Sequence, residues 1–312
     1  MENVDGYFDL ITSEPRVSIG LPVYNGERFI CSAIETLLSQ TFSDFEIIIS
    51  DNCSTDKTES ICRQYAAKDA RIRYVRQTKN VGITANFQFV LDAAVGEYFM
   101  WAAADDRQKP EFIQTLVKIL DDNPSFAGAM SDVENHDEAG TLLFISMLDD
   151  IRVDKVKENW KNIRLRFFRN PTSNVFFAIY GLFKRDILLN IEINYKNLLG
   201  NLSSSEVPFL AQISLRGEIA SVGTPLKIYT RHENSEYHKE IKRINKMQSL
   251  IQSFNVSKSL ALIAYHSKID ITYKFLCYYT VFFTFFKHLI SIILPTPILK
   301  SIIKIKFSIT SN

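Results

Sequence analysis

The first half of this 312-residue chain predicts an α/β fold with a mostly parallel central sheet flanked by helices. Short apolar runs alternate there with segments whose apolar residues recur at helical spacing. The run Phe45–Ser50 is nearly continuous in apolar, β-branched residues, which is typical of a buried parallel strand. Strands separated by helices of this length are joined by crossovers, so we expect neighbouring strands to be parallel.

The elements follow in regular order up to residue 130. Gly96 stops the third helix, and Pro110 stands where a first helical turn tolerates proline. Ser54 or Thr55 can cap the second helix. The predicted strands are 17–21, 45–50, 72–75, 97–101 and 126–130, and the predicted helices are 27–39, 54–65, 85–94 and 111–120.

Beyond residue 131 the order is looser. A turn signal at 137–140 predicts a hairpin. We further expect helices at 159–169 and 206–216, a strand at 175–181, and a closing strand at 226–230. Long helices without glycine begin after residue 238. The chain is therefore predicted to divide into an α/β domain, residues 1–235, and a helical tail, residues 236–312.

Charge and cysteine content exclude several classes of protein. The formal net charge is only +1, so no overall basic field indicates nucleic-acid binding. The four cysteines form no C-x-x-C pair, which argues against a zinc site or a disulfide framework. The N-terminus is acidic and lacks an apolar run, so no secretory signal is predicted. A cytoplasmic location is the simplest expectation.

Polar clusters follow three of the predicted strands. They occupy residues 22–27, residues 51–56, and the pair Asp105 and Asp106. Each cluster alone is an ordinary turn or helix cap. Together they lie at the carboxyl ends of strands, where open α/β sheets bind ligands. The glycine loops that usually hold phosphate are absent, so a phosphate ligand here would need a divalent cation, Mg²⁺ or Mn²⁺, on the paired carboxylates.

Residues 16–110 resemble the large inverting GT-A glycosyltransferase family, family 2. The resemblance is carried by the segments 17–27, 46–56, 80–82 and 96–98 and by Asp105 and Asp106. It implies a GT-A fold and the transfer of a sugar from a nucleotide-sugar donor to a hydroxyl of a glycan or lipid-linked acceptor. A UDP-sugar is favoured because it is common in this family, and Mn²⁺ or Mg²⁺ is the implied cofactor.

The resemblance also implies roles for single residues. Asp51 would accept a hydrogen bond from the nucleobase, which requires a ring N–H and disfavours cytosine. Pro22 and Tyr24 would pack on the base or ribose. Asp105 and Asp106 would hold the metal and the diphosphate. Further donor contacts are expected from Asn25, Glu27, Asn80 and Arg71, the last of which has a solvated surface charge as its alternative.

The metal motif departs from the family pattern. Many relatives have Asp-x-Asp-Asp, whereas this chain has Ala103 in the first position and therefore lacks the carboxylate that often contacts the ribose. Weaker donor binding is expected from this loss. A non-catalytic GT-A-like binding protein is the corresponding alternative.

Two later segments resemble further family elements. Glu206 stands where the family places the general base, at the start of a helix; the alternative is a glutamate that merely favours a helix N-terminus. Arg231 and His232 resemble a late Arg-x-His element that would neutralise the diphosphate, with a structural histidine as the alternative. A polyprenyl-phosphate sugar synthase, whose anionic acceptor needs no base, is a second alternative function.

The tail is basic and aromatic. From residue 241 onwards there are ten Lys or Arg and one acid, Asp270. Between Lys274 and Lys287 only 12 residues are uncharged, whereas a membrane-spanning helix needs about 20. We therefore predict peripheral contact of residues 271–306 with the inner face of the membrane. A helical hairpin packed on the first domain, or on a second subunit in a homodimer, is the alternative.

Overall fold

The computed structural model describes residues 14–157, 165–168, 178–191, 206–232 and 246–293. Within these ranges one mixed sheet forms the centre of the molecule. Its strands are β1 (Val17–Val23), β2 (Phe45–Asp51), β3 (Ile72–Arg76), β4 (Tyr98–Trp101), β5 (Arg107–Gln108), β6 (Phe126–His136), β7 (Leu142–Ser146), β8 (Leu182–Lys184) and β9 (Glu218–Thr230).

Helices separate the first strands, as the sequence pattern predicts. The predicted helices of the first half are found within a few residues of their expected bounds. The helices are α1 (Ile30–Leu38), α2 (Thr58–Lys68), α3 (Ile83–Asp92), α4 (Phe112–Asp122), α5 (Arg185–Leu189), α6 (Glu206–Ser214), α7 (Lys246–His266) and α8 (Ile271–Ile293).

The strand order is β3-β2-β1-β4-β8-β6-β9-β5, and β7 pairs with β6 outside this path. Strands β3, β2, β1 and β4 are all parallel, which confirms the predicted doubly wound half. Strand β8 is antiparallel to both β4 and β6. Because the direction reverses twice, β6 and its parallel partner β9 run the same way as β4. The carboxyl ends of β1, β2, β4, β6 and β9 therefore meet at one edge of the sheet, which we call the rim.

The core lies on both faces of this sheet. Residues 17–23 of β1 are all buried, and Ile47, Ile48 and Ile49 give β2 an equally buried centre. Gly20 allows α3 to approach β1 closely, because a Cβ at this position would lie 2.6 Å from a methyl carbon of Val90. These strands are rigidly fixed by packing, so their ends give a stable base for the rim.

The second half differs more from the sequence expectation. The predicted hairpin at 137–140 joins β6 to β7, with Gly140 at φ +86°. The strand expected at 226–230 is the end of the much longer β9, whose pairing with β6 shifts register as it passes Gly223 and Pro225. Of the strand expected at 175–181, residues 175–177 lie outside the described part, residues 178–180 form a 3₁₀ turn, and the strand β8 follows at Leu182–Lys184. The helix expected at 159–169 lies mostly outside the described residues. Its described part, residues 165–168, forms a 3₁₀ turn.

The predicted helical tail is present as the antiparallel pair α7 and α8. The Lys274 ammonium donates to the Tyr265 carbonyl at 2.8 Å, and the rings of Phe254 and Phe285 meet edge to face further along. No helix in the described part of the chain is long and apolar enough to span a bilayer. One side of the pair joins the common core through Val256, Leu260, Ile263, Ala264, Cys277 and Val281. The division near residue 235 stays a prediction.

Candidate active site

The loops after β1 and β2 are fastened to each other at the rim. The Asn25 backbone N–H donates to the Ser54 hydroxyl at 2.9 Å, and the Asn25 side-chain carbonyl accepts from the Thr55 N–H at 2.8 Å. The Glu27 carboxylate accepts from the Lys57 N–H at 3.0 Å. Asn25 has φ +50°, a conformation that asparagine tolerates. In this structure Asn25 and Glu27, predicted to bind the donor, therefore hold the two loops together.

Asp56 completes this interlock. Its carboxylate accepts from the Thr58 hydroxyl at 2.6 Å, the Thr58 N–H at 3.0 Å and the Glu27 N–H at 3.1 Å. Burial acts to raise the pKa of Asp56, but these hydrogen bonds outweigh it and leave the pKa below its ordinary value. The carboxylate therefore stays ionised and keeps its acceptor role at neutral pH.

Asp51, the last residue of β2, is completely buried. One carboxylate oxygen accepts from the Ser54 N–H at 2.8 Å, and the other accepts from the Tyr74 hydroxyl at 2.8 Å. Burial together with this hydrogen bond raises the pKa of Tyr74, so its proton stays in place. A carboxylate has lone pairs for more than two donors. The contact of Asp51 with a nucleobase stays a prediction.

Arg71 does not lie at the rim, so this structure gives no support to its predicted contact with phosphates, which stays untested. It precedes β3 and so stands at the opposite edge of the sheet, where it pairs with Asp69 at 2.8 Å and lies over the Phe45 ring. Arg76 ends the same strand and does reach the rim, with its guanidinium 2.8 Å from Glu59 and donating to the Ser54 carbonyl at 2.9 Å. The rim position of Arg76 could have been predicted, because it directly follows a predicted parallel strand at its carboxyl end.

The other three residues expected near the donor differ in exposure. Pro22 is buried within β1, in register with Ser50 of β2. Tyr24 is half exposed, directly before the interlocked loop. The Asn80 side-chain carbonyl accepts from the Asn52 amide at 3.1 Å, which ties the loop after β3 to the loop after β2. Tyr24 and Asn80 are both exposed, and of the two only Tyr24 offers an aromatic ring.

Asp105 and His232 meet at the rim from distant parts of the chain. The Asp105 Oδ2 and the His232 Nε2 are 2.8 Å apart. The Asp105 side chain is about one third exposed, whereas His232 is nearly buried and packs on the Phe29 ring at 4.7 Å. The His232 Nδ1 is buried without a hydrogen-bond partner in the described part of the structure. At the rim a partly exposed carboxylate is therefore joined to an imidazole that is itself nearly buried.

Asp106 has very different surroundings from Asp105. Its carboxylate lies 2.6 Å from the Lys227 ammonium, and neither side chain is more than 3% exposed. Its other oxygen accepts from the Thr230 N–H at 3.3 Å, and Lys227 lies over the Tyr180 ring. Burial raises the pKa of Asp106 to about 6, against the opposing effect of Lys227. In this structure Asp106 therefore forms a buried ion pair, and its predicted contact with a metal stays untested.

Glu206 is the first residue of α6, as expected for a base at a helix start. Its side chain lies outside what the structure describes, so its role stays a prediction. Phe209, in the first turn of the same helix, packs edge to face on Trp101 with ring centroids 5.4 Å apart. Because Trp101 ends β4, the start of α6 lies near the rim.

Arg231 is directed towards β7. Its guanidinium carbon lies 4.8 Å from the centroid of the Phe144 ring, and its backbone N–H donates to the His136 carbonyl at 2.8 Å. Its Nε is buried and has no hydrogen-bond partner among the described atoms. Arg231 therefore puts a cation beside the end of β6, and its contact with a diphosphate stays a prediction.

The family model for glycosyl transferase family 2 matches residues 18–191, which is more than half of the chain. The chain belongs to this family. The enzyme is thus a glycosyltransferase, as the resemblance of residues 16–110 implied. The matched region includes both interlocked loops and Asp105, but ends before Glu206 and His232.

Curated relatives agree with this assignment. A glycosyltransferase of Haemophilus influenzae is 26% identical over 250 residues, which cover 74% of this chain and 73% of the relative. GlyG of Streptococcus pneumoniae is 25% identical over 221 residues, covering 70% and 72%. GlyA of the same organism matches over 146 residues at 25% identity, 47% of this chain but only 21% of GlyA.

Two solved structures show the same fold at low sequence identity. S. aureus TarS 1–349 in complex with UDP-GlcNAc has a TM-score of 0.66 and 18% identity, over 88% of this chain and 73% of that one. The mannosyltransferase PcManGT from Pyrobaculum calidifontis, in complex with GDP-Man and Mn²⁺, has a TM-score of 0.54 and 15% identity, over 96% and 82%. The predicted GT-A fold is confirmed by these likenesses.

We predict that Lys227→Met destabilises the enzyme by about 3–5 kcal/mol at pH 8, because it leaves a buried carboxylate unpaired. Asp106 has a raised folded-state pKa, so the cost of keeping it ionised is absent below its ordinary pKa and grows as the pH rises through about 6. The loss should therefore be clearly smaller at pH 5. Urea unfolding at both pH values measures it.

The matched control is the double variant Asp106→Asn/Lys227→Met. Removing the carboxylate charge should restore more than half of the lost stability at pH 8. A Lys227→Met enzyme as stable as the wild type at pH 8 would contradict the ion-pair assignment.

Proposed function

We propose that this enzyme is an inverting glycosyltransferase that moves a sugar from a nucleoside-diphosphate sugar, with UDP-sugars favoured, to a hydroxyl of a glycan or lipid-linked acceptor. The observation that carries the proposal is the meeting of Asp105 and His232 at the rim, beside the interlocked loops of a family 2 domain. Two proteins of similar fold support it, since their structures contain UDP-GlcNAc and GDP-Man.

The base and ribose of the donor are proposed to bind beside Tyr24 and Asp51. Tyr24 supplies the exposed aromatic face for the base or ribose, and the interlock fixes the loop that presents it. The Asp51 carboxylate, which already accepts two hydrogen bonds, has lone pairs left to accept a third. It would therefore select a base with a ring N–H. Arg76, at the same rim, adds a fixed positive charge near this end of the site.

The donor set of the rim fits a divalent cation held jointly with the substrate. Asp105 offers a partly exposed carboxylate, and the His232 Nε2 lies 2.8 Å from it, so a cation bound by both side chains would take the place of their mutual hydrogen bond. The described residues contain no group of three ligands, so substrate oxygens would have to complete the coordination. A nitrogen ligand favours Mn²⁺ over Mg²⁺. When bound, the cation would neutralise charge on the departing diphosphate.

The acceptor is proposed to be activated by Glu206. Inversion requires a base on the side of the sugar opposite the leaving group, and the helix N-terminus favours the ionised carboxylate that such a base needs. The start of α6 lies near the rim through the contact of Phe209 with Trp101. Glu206 would take the proton of the acceptor hydroxyl as its oxygen attacks the sugar carbon.

Donor hydrolysis tests the proposal most directly. We expect slow, Mn²⁺-dependent release of nucleoside diphosphate from a UDP-sugar, and none from a CDP-sugar, because cytosine lacks the ring N–H. A panel of UDP-, GDP-, dTDP- and CDP-sugars, each with and without Mn²⁺, measures this. Hydrolysis that is unaffected by Mn²⁺ would contradict the metal-assisted proposal, and absence of both UDP binding and hydrolysis would favour the non-catalytic alternative.

Replacement of the two rim ligands is expected to weaken cation binding. Asp105→Asn and His232→Gln should each lower the affinity for Mn²⁺ in the presence of UDP by at least about tenfold, since each removes one of two protein ligands. Calorimetric titration of Mn²⁺ into the enzyme with UDP measures the effect without catalysis. The matched control is Asp122→Asn, an exposed carboxylate that pairs with Lys118 at the end of α4. Unchanged affinity in both rim variants would contradict the assignment.

Glu206→Gln distinguishes hydroxyl transfer from polyprenyl-phosphate transfer. Loss of a general base should lower the transfer rate to a hydroxyl acceptor by about 10²–10⁴-fold while UDP binding stays unchanged. An enzyme whose acceptor is already an anion would keep most of its rate. Single-turnover transfer, with UDP affinity measured in parallel, separates the two outcomes.

A further inference from the structure

The helices α7 and α8 carry a broad apolar surface on the side that faces solvent. On α8, Ile271 is 65% exposed, Phe275 is 67% exposed and Phe286 is 48% exposed. Their spacing puts them on one stripe of the helix together with Phe282, which is also exposed. The exposed apolar residues of α7 repeat at similar intervals, at Ile251, Phe254, Leu262 and Tyr265.

These two stripes belong to one hairpin whose other side is already in use. The contact of Phe254 with Phe285 and that of Tyr265 with Lys274 show that the helices run antiparallel and touch along their length. Val256, Leu260 and Ile263 of α7 are buried in the common core, as is Val281 of α8. Among the described residues, the hairpin is thus apolar on two sides, and the common core covers one of them.

Positive charges lie within and beside the exposed side, since the exposed Lys258 stands between Phe254 and Leu262 on the stripe of α7. Lys258, Lys268 and Lys274 lie on or between the two helices, with Lys268 exposed. The single acid beyond residue 241, Asp270, caps α8 by accepting from the Thr272 N–H at 2.8 Å. The charge of the whole segment from residue 241 onwards is therefore strongly basic, in contrast to the acidic balance of the preceding residues.

Charge complementarity decides which partner fits this surface. A second copy of the chain would bring two basic hairpins together and add repulsion between like charges. An anionic bilayer surface would attract the lysines and accept the aromatic side chains at the boundary between headgroups and acyl chains. Neither helix is able to span the bilayer, which leaves an orientation parallel to its surface.

We propose that α7 and α8 form an interfacial membrane anchor that inserts the side bearing Ile251, Phe254, Phe275 and Phe286 into an anionic bilayer. The lysines contact the lipid headgroups, and the buried side keeps the catalytic domain attached to the anchor. The anchor acts independently of the donor and acceptor chemistry. It agrees with the expected position at the inner face of the membrane and adds the surface that makes the contact.

Vesicle sedimentation tests the anchor. The full chain is mixed with vesicles of phosphatidylcholine containing about a third phosphatidylglycerol, and with vesicles of phosphatidylcholine alone. We expect binding to the anionic vesicles that falls at high salt. Phe275→Ser/Phe286→Ser should bind at least about tenfold more weakly, because two inserting side chains are lost.

The matched control removes exposed apolar side chains elsewhere. Leu143→Ser/Ile145→Ser alters two residues of β7 that are 50% and 42% exposed, and it should leave vesicle binding unchanged. Circular dichroism and thermal unfolding check that each variant folds. Donor hydrolysis without vesicles, measured on the same preparations, should be equal in the wild type and in Phe275→Ser/Phe286→Ser, which keeps this test separate from that of the proposed function.

Three outcomes would overturn the anchor. The first is no binding of the wild type to anionic vesicles, and the second is equal binding by Phe275→Ser/Phe286→Ser. The third is a homodimer, seen by light scattering, that this variant dissociates, since the surface would then be occupied by a second copy of the chain.

Discussion

The buried ion pair of Asp106 with Lys227 is the interaction on which the rim depends. It joins the segment after β4 to β9, two parts of the chain that are far apart in sequence. Both side chains are shielded from solvent. The hydrogen bond from the Thr230 N–H to Asp106 fixes the end of β9 as well. His232 follows two residues later, so its position beside Asp105 is a consequence of this pair. A buried ion pair contributes little net stability, but it fixes one arrangement because either charge alone would be costly to bury.

Sheet topology provides the second constraint. Two reversals of direction, at β8 and again at β6, return the later strands to the direction of β4. Without them the ends of β6 and β9 would lie at the far edge, and neither Arg231 nor His232 could reach the loops of the first half. The contact of Asp105 with His232 therefore requires both halves of the domain, although the family motifs in the first half account for only Asp105.

Much of the first half could be predicted from sequence because its signals are local. The strands at 45–50 and 97–101, their helices, and the rim position of Asp105 all follow from periodicity and from the rule that parallel strands end together. Asp106 could not be separated from Asp105 in this way, since its partner Lys227 shows no local pattern. Arg71 lies away from the rim because it precedes β3, whereas the rim is formed by residues at the carboxyl ends of the strands. The helices of the tail could be predicted from composition, and its contact with a membrane stays a prediction, because which of its sides is exposed depends on packing against the domain.

The interlocked loops place unequal demands on their positions. Within the loop after β2, Ser54 and Asp56 contribute side chains to the interlock, whereas Lys57 donates its backbone N–H to Glu27 and Thr55 donates its backbone N–H to Asn25, with only a long hydroxyl contact of 3.4 Å beside it. Any residue other than proline supplies a backbone N–H. We therefore expect the protein to accept many replacements at positions 55 and 57 and few at positions 54 and 56. Tolerance to substitution would then alternate from one residue to the next in a segment that has no regular secondary structure.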